Sequence, residues 1–275
     1  MFFMVFFNSC TDEEDFQNSI THEDNIVDTI SHIDYPSTAH VIHNAVADID
    51  GNSYDAVQIG NQIWMASNLR TTHEPDGEEI PEGSNIEPAA IPYRYTPHSN
   101  VTLYGYLYNY DAILHGFSPS ITNPSGVQGI CPNGWHVPSL IEWQEMVNYV
   151  KNHVSTEAAI TLVGNCGWDR PWWEYADPNI VNMTGFSALP AGCVYIHQTH
   201  SYWYTDQCDY VYTQYKRLGS VAHFGTAADR GNSKEQGIAI CTIYYDNYTN
   251  TNNHRIGYSS MPREYQGCSV RCVKD

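Results

Sequence analysis

Alternation of apolar and polar residues marks the first folded stretch of the chain. Tyr54 to Ile59 and Gln62 to Met65 read as two strands joined by Gly60-Asn61, where glycine supplies the positive φ of a two-residue hairpin turn. Asp50-Gly51 marks the turn before them. The period changes at Ser139. Its hydroxyl is placed to accept from the amide of Glu142 while the Glu142 side chain reaches back, a capping box directly after Pro138. Leu140, Trp143, Met146 or Val147, Val150 and Val154 then recur at three- to four-residue spacing, so one apolar stripe of a helix faces a core and Trp143 is read as packing. Trp135 and His136 lie on the apolar approach to that helix, and His136 is read as a hydrogen-bonded structural residue rather than a ligand or base.

Between these elements Tyr104, Tyr106, Tyr108 and Tyr110 alternate with Leu103, Gly105 and Leu107, which predicts a strand with its tyrosines on one packed face. The remainder is rich in Gly, Pro, Asn and aromatic residues, with short strands expected at 238–245 and 269–273 and long connections between them. One main helix, short strands and long irregular loops predict an α+β domain without a repeat and without a second globular unit.

Charge changes the picture at the N-terminal end. The chain carries 31 acidic against 12 basic residues, a formal charge of −19, and its first basic residue is Arg70. Phosphate neutralisation needs clustered Lys and Arg, so nucleic acid is excluded as an expected partner. Residues 1–7 are almost wholly apolar, and Asn8-Ser9 then places a small residue before Cys10. This reads as the end of a lipoprotein signal peptide, residues 1–9, whose basic n-region is missing; a start codon set too late explains both that and the short apolar run. The competing reading is an apolar N-terminal strand. From Cys10 to Asn44 the composition is acidic and weakly periodic, that of a tether, and the folded domain is expected over 45–275. With no later apolar run of spanning length, the expected attachment to an outer membrane is through lipid alone.

With Cys10 assigned to lipid, Cys131, Cys166, Cys193, Cys208, Cys241, Cys268 and Cys272 remain, an odd number that leaves at least one thiol unpaired. None of them makes a Cys-x-x-Cys pair, and together with His197, His200 and His223 they lack the spacing of a zinc site. Asp48, Asp50 and Asp55 admit a calcium loop, yet the further oxygen ligands are missing and turn chemistry is the preferred reading. No metal or cofactor is therefore expected, with calcium left open. Catalytic constellations are absent too: there is no Gly-x-Ser-x-Gly elbow, no His-Glu-x-x-His helix and no phosphate loop. Glu13-Glu14 and Glu78-Glu79 sit in the tether or beside turn formers and read as solvated charge.

Several blocks carry a resemblance. Asp50 to Leu69, Gly105-Tyr106-Leu107-Tyr108-Asn109-Tyr110, Cys131-Pro132-Asn133-Gly134-Trp135-His136-Val137-Pro138-Ser139, Ala188-Leu189-Pro190-Ala191-Gly192 and Ser269 to Asp275 follow one another in an order that resembles the Fibrobacter succinogenes major paralogous domain. That family is frequent on the outer surfaces of Bacteroidetes and Fibrobacter cells and has no agreed activity. The chain departs from it at Val221 to Asp229, where the family shows a Gly-x-Trp-Trp-Ser-Ser-like run. Thr11-Asp12-Glu13-Glu14-Asp15 resembles the acidic signal that carries Bacteroidetes lipoproteins to the outer leaflet, so a surface-exposed outer-membrane lipoprotein is expected. The block around Trp135 to Trp143 is also similar to sulfatase-modifying factors. That likeness implies a C-type-lectin-like domain with a small twisted antiparallel sheet. Since Cys131 and Cys272 lie in family blocks, the resemblance also suggests a disulfide between them.

The expected function is a surface-tethered, non-catalytic binding or adhesion module for a glycan or a partner protein. A structural subunit of a surface assembly such as a fimbrial tip is the main alternative. An oxidase like the formylglycine-generating enzymes, echoed by Cys268 and Cys272, is the distant one. The expected ligand surface comes from loops in which Pro, Asp and Arg break any period. Trp172, Trp173, Tyr202, Trp203 and Tyr204 would stack on a ligand while Asp169, Arg170, Glu174 and Asp206 orient it. Packing of those rings within their own loops is the competing reading.

Overall fold

The computed structural model describes residues 35–83, 91–168, 179–201, 208–216, 219–229, 237–246, 253–262 and 266–275. A meander of β1 (Val41–Ala47), β2 (Ser53–Ile59) and β3 (Gln62–Met65) leads the chain. There follow β4 (Arg94–Tyr95), α1 (Val101–Tyr104), β5 (Leu107–Tyr108), α2 (Tyr110–Leu114) and β6 (Trp135–His136). The main helix α3 (Leu140–His153) and the short α4 (Ala158–Leu162) come next. Long strands dominate the second half: β7 (Cys193–Ser201), β8 (Cys208–Lys216), β9 (Val221–Asp229), β10 (Gly237–Asp246) and β11 (Asn253–Pro262). Two short strands, β12 (Gln266–Gly267) and β13 (Val273–Lys274), close the chain.

The molecule is α+β, with open antiparallel sheets ordered β1-β2-β3-β13-β6, β11-β10-β9, β12-β7-β8 and β4-β5. In the first of these, β13 is inserted between β3 and β6, pairing Val273 with both Trp64 and His136. The end of the domain is thereby stitched to its beginning and middle. A disulfide between Cys131 and Cys272 reinforces that junction. It closes a loop across a sequence separation of 141 residues, which in the chain-entropy account is worth roughly 4–5 kcal/mol.

Helix α3 forms as its pattern dictates. Ser139 is the N-cap with both arms of the capping box in place, and Trp143, Met146, Val147 and Val150 are buried. The Trp143 ring lies 4.6 Å from Trp64 and 5.2 Å from Phe224, centre to centre, with Phe186 edge-on at 5.7 Å. This aromatic cluster joins the helix to the five-stranded sheet and to β9, with Ala188, Ala222 and Ile243 filling the spaces between.

Three expectations are corrected. The tyrosine run is not one strand but helix, strand and helix. Asn100 Oδ1 accepts from the Leu103 amide and Asn109 Oδ1 from the Ala112 amide, while Gly105 takes φ +71°, so two side-chain caps outcompete the extended chain. The tyrosines pack regardless: Tyr104, Tyr108 and Tyr110 are buried. Residues 238–245 belong to the ten-residue β10, and the second half carries long hairpins where short strands were expected. Of 269–273 only Val273 enters a regular strand. Met65 N donates to Cys272 O and Leu69 N to Val270 O, so residues 66–68 bulge out and the ladder falls out of step. Val41 pairs with Val57, β1 absorbs an irregularity between Ile42 and Val46, and Tyr35 packs against the core.

Candidate functional site

The residues chosen from sequence as the ligand surface lie outside the described residues: Asp169, Arg170, Trp172, Trp173 and Glu174 fall within 169–178, and Tyr202, Trp203, Tyr204 and Asp206 within 202–207. Cys10 lies outside them as well. Trp168, at the edge of the first loop, is buried in the core with α3 and Phe186, so packing accounts for it.

The structure brings a different set of residues together. The β2–β3 turn and the outer face of α3 enclose a groove of about 470 Å³ lined by Ile59, Gly60, Asn61, Gln62, Ile141, Gln144, Glu145, Asn148, Tyr149 and Asn152. This volume is within the range of roughly 300–1,000 Å³ typical of small-molecule sites. The turn is fixed by Gly60, whose φ of +62° suits glycine and whose missing Cβ leaves room for Tyr149: a methyl there would sit 2.9 Å from Tyr149 Cδ2. Tyr149 in turn stacks on His153 at 4.5 Å, and His153 Nδ1 lies 3.0 Å from the Tyr149 carbonyl. At the base, Gln62 Nε2 donates to Glu142 O and Gln62 Oε1 accepts from Trp64 Nε1, so this amide is held by the core beneath it.

On α3 the lining residues form two rows at i, i+4 spacing, Gln144-Asn148-Asn152 and Ile141-Glu145-Tyr149, all of them exposed. The groove therefore presents several carboxamides, each able to donate and accept, beside one carboxylate and an apolar edge. Glu145 also accepts from Asn123 Nδ2, which orients it. The signal in sequence was the repeated asparagine on a solvent-facing helix stripe, where Asn is a poorer helix former than Lys, Glu or Ala.

Beneath the groove, Glu142 is a buried hub. Its Oε2 accepts from the amides of Ser139 (2.9 Å) and Ser125 (3.0 Å), and its Oε1 lies 2.7 Å from His136 Nε2. The other ring nitrogen of His136 is 2.8 Å from Asp275 Oδ1. A carboxylate oxygen at each ring nitrogen favours the protonated form of the ring. Burial opposes that charge, but hydrogen bonds and attraction from Glu142 and Asp275 outweigh it and raise the pKa. This network holds together β6, α3 and the C-terminal residue; with His136 only 3% exposed, no ligand reaches it.

Arg271 is a residue that sequence reading missed. It is fully buried, and its guanidinium donates to Asn68 Oδ1 and to the carbonyls of Met65, Phe186 and Ser187 while lying 4.6 Å over the Phe186 ring. It organises the bulge at 66–68 and serves packing. The aspartates are likewise occupied. Asp48 accepts from the Asn52 amide and Tyr54 hydroxyl, Asp50 from the Thr72 amide and the Thr71 hydroxyl, and Asp55 from the Asn44 amide. Asp48 and Asp50 thus fix turns, and Asp55 ties β2 to the irregular part of β1. Among the described residues no three His, Cys, Asp or Glu side chains are grouped so as to hold a metal ion. The Cys268–Cys272 pair that echoed an oxidase is not available as two thiols, because Cys272 is bonded to Cys131. Among the described residues no helix is long and apolar enough to cross a membrane.

No curated protein and no solved structure matches the chain. One family model does, that of the Fibrobacter succinogenes major domain, and it covers residues 57–274. That span runs from within β2 to β13, taking in the β3-β13-β6 part of the stitched sheet, the capped helix and both walls of the groove, and the chain belongs to this family.

Proposed function

We propose that this domain is a non-catalytic, surface-tethered binding module of C-type-lectin-like organisation, and that the groove between the Gly60 turn and α3 takes a neutral saccharide. The observation that carries the reading is the lining: carboxamides of Asn61, Gln62, Gln144, Asn148 and Asn152 beside the Tyr149 ring. Vicinal hydroxyls are donor and acceptor at once, as are carboxamides, and an apolar edge suits the C–H face of a sugar. Among the described residues no Lys or Arg lines the groove, one carboxylate does, and the whole chain is strongly acidic, all of which oppose an anionic ligand. The groove also lacks the buried Trp and Arg anchors typical of protein hot spots.

A glycan array on the purified protein, with and without Ca²⁺, tests the proposal. Binding to neutral glycans is expected, with Asn148→Ala/Asn152→Ala weakening it at least tenfold. Thermal stability should hold or rise slightly, because alanine is the better helix former at exposed positions. Unchanged capture by that variant, or capture lost only with Trp173→Ala and Trp203→Ala, would remove the ligand from the groove and return it to the aromatic loops.

A further inference from the structure

A second cysteine pair lies across the edge of the β12-β7-β8 sheet. The register pairs Gln266 with Tyr195 and Gly267 with Val194, so the next position places Cys268 opposite Cys193. Residues directly opposite on antiparallel strands project to the same face, and both cysteines are buried in the same apolar cluster, at 1% and 2% exposure. Cys268 N donates to Tyr108 O at 3.0 Å and Cys268 O accepts from Tyr108 N at 2.8 Å, so its amide groups point toward β5 and away from β7. Cys193 and Cys268 therefore occupy a non-hydrogen-bonded position of the β7–β12 ladder. At such positions Cα atoms stand about 4.5 Å apart, inside the roughly 4.4–6.8 Å that a disulfide spans. The structure holds both residues as thiols.

We propose that Cys193 and Cys268 form a second disulfide, closed during oxidative folding, that fastens the β7–β8 hairpin to the core. The need is mechanical: on the side away from β8, among the described residues, β7 pairs with Gln266 and Gly267 of β12. The chemistry is dithiol–disulfide exchange with a disulfide oxidant. One thiolate attacks the oxidant's S–S bond to give a mixed disulfide and release a thiol. The second thiolate then displaces the other oxidant sulfur, so one S–S bond forms in the protein as one breaks in the oxidant, and both protons end on the oxidant's thiols. Timing follows from burial, which pushes the Cys268 thiol up, with Cys193 close by adding to the effect. Neither an oxidant nor a thiolate is available once the strands have packed. The bridge must close before β12 docks, and chain that folds reduced stays reduced.

The test is to refold the full chain in a mixture of oxidised and reduced glutathione, and separately in dithiothreitol. Remaining thiols are then alkylated under denaturing conditions and linked peptides mapped by mass spectrometry. In the oxidised sample Cys193 should be found linked to Cys268 in most molecules, alongside Cys131 to Cys272, with both residues protected from alkylation. The dithiothreitol-folded protein, moved into the glutathione mixture without unfolding, should acquire the Cys193–Cys268 link many-fold more slowly than refolding chain does. In Cys193→Ser, Cys268 should become fully alkylated while the Cys131–Cys272 link persists; if that variant does not fold, the wild-type map decides alone. Oxidised wild-type protein that carries the Cys131–Cys272 bridge but alkylates at both Cys193 and Cys268, or links either to a different cysteine, overturns the proposal.

Discussion

His136 shows how one side chain ties distant parts of this chain together. Its ring is held between Glu142 and Asp275, whose hydrogen bonds and charge raise its pKa, so the folded state binds its proton more tightly than the unfolded chain does. A pKa raised on folding contributes stability that is fully present below the unfolded value, near 6.5, and is lost as pH rises through the folded value. Glu74 acts with the same sign. Burial, then repulsion from Asp76 and Glu78, pushes its carboxyl up to about 8, so it too favours folding at lower pH. The readout is consequently a difference: the melting temperature of wild type minus that of His136→Gln should be largest at pH 6 and shrink steadily toward pH 9. Parallel curves would show that the ring is not charged in the folded state. His136 could be read from sequence as a satisfied structural residue because it sits on an apolar approach to a capped helix. Its partner Asp275 could not, since nothing local places the chain's last residue beside residue 136. Arg271 was hidden for the same reason. A cation is expected at the surface, and only tertiary structure gathers the carbonyls of Met65, Phe186 and Ser187 around it.

At the scale of elements, the parts governed by local rules were legible and those governed by competition were not. The β2–β3 hairpin follows from alternation plus Gly60, and α3 from its capping box and stripe. The tyrosine run obeyed the strand period equally well and lost to Asn100 and Asn109, whose side chains satisfy helix amides that an extended chain would not present. The groove was missed because it joins a turn and a helix that are about 80 residues apart in sequence, although each half was placed correctly. Element-scale energetics distinguish packing from binding on α3. Ser139→Ala removes the cap and should cost about 1 kcal/mol. Trp143→Ala empties the centre of the aromatic cluster and should cost about 3–5 kcal/mol. Urea unfolding should show both losses as lower midpoints with unchanged slope. A Trp143→Ala protein of wild-type stability would mean that the ring is not the link between helix and sheets.

For the whole molecule the question is where such a domain sits. The sequence before β1 is acidic, and the described domain is stitched shut by β13 and the Cys131–Cys272 bridge; a disulfide of this kind is one that an oxidising compartment preserves. Pairing starts at Val41, so about 30 residues lie between Cys10 and the first strand, with a contour limit of roughly 100 Å. Residues 11–40 contain eight carboxylates and no Lys or Arg. If Cys10 is diacylated, the groove can stand well clear of the bilayer and meet glycans in the surroundings. Expressed behind a complete lipoprotein signal peptide that ends at Cys10, wild type should fractionate with the outer membrane, and protease added to intact cells should remove the domain. Cys10→Ala should appear in the soluble fraction with the same melting temperature, as expected if the residue serves only as the lipid attachment point. Membrane retention of Cys10→Ala would exclude the lipid anchor. A wild-type domain that resists protease in intact cells yet is cut after lysis would place it on the inner side, where a saccharide groove facing outward has no purpose.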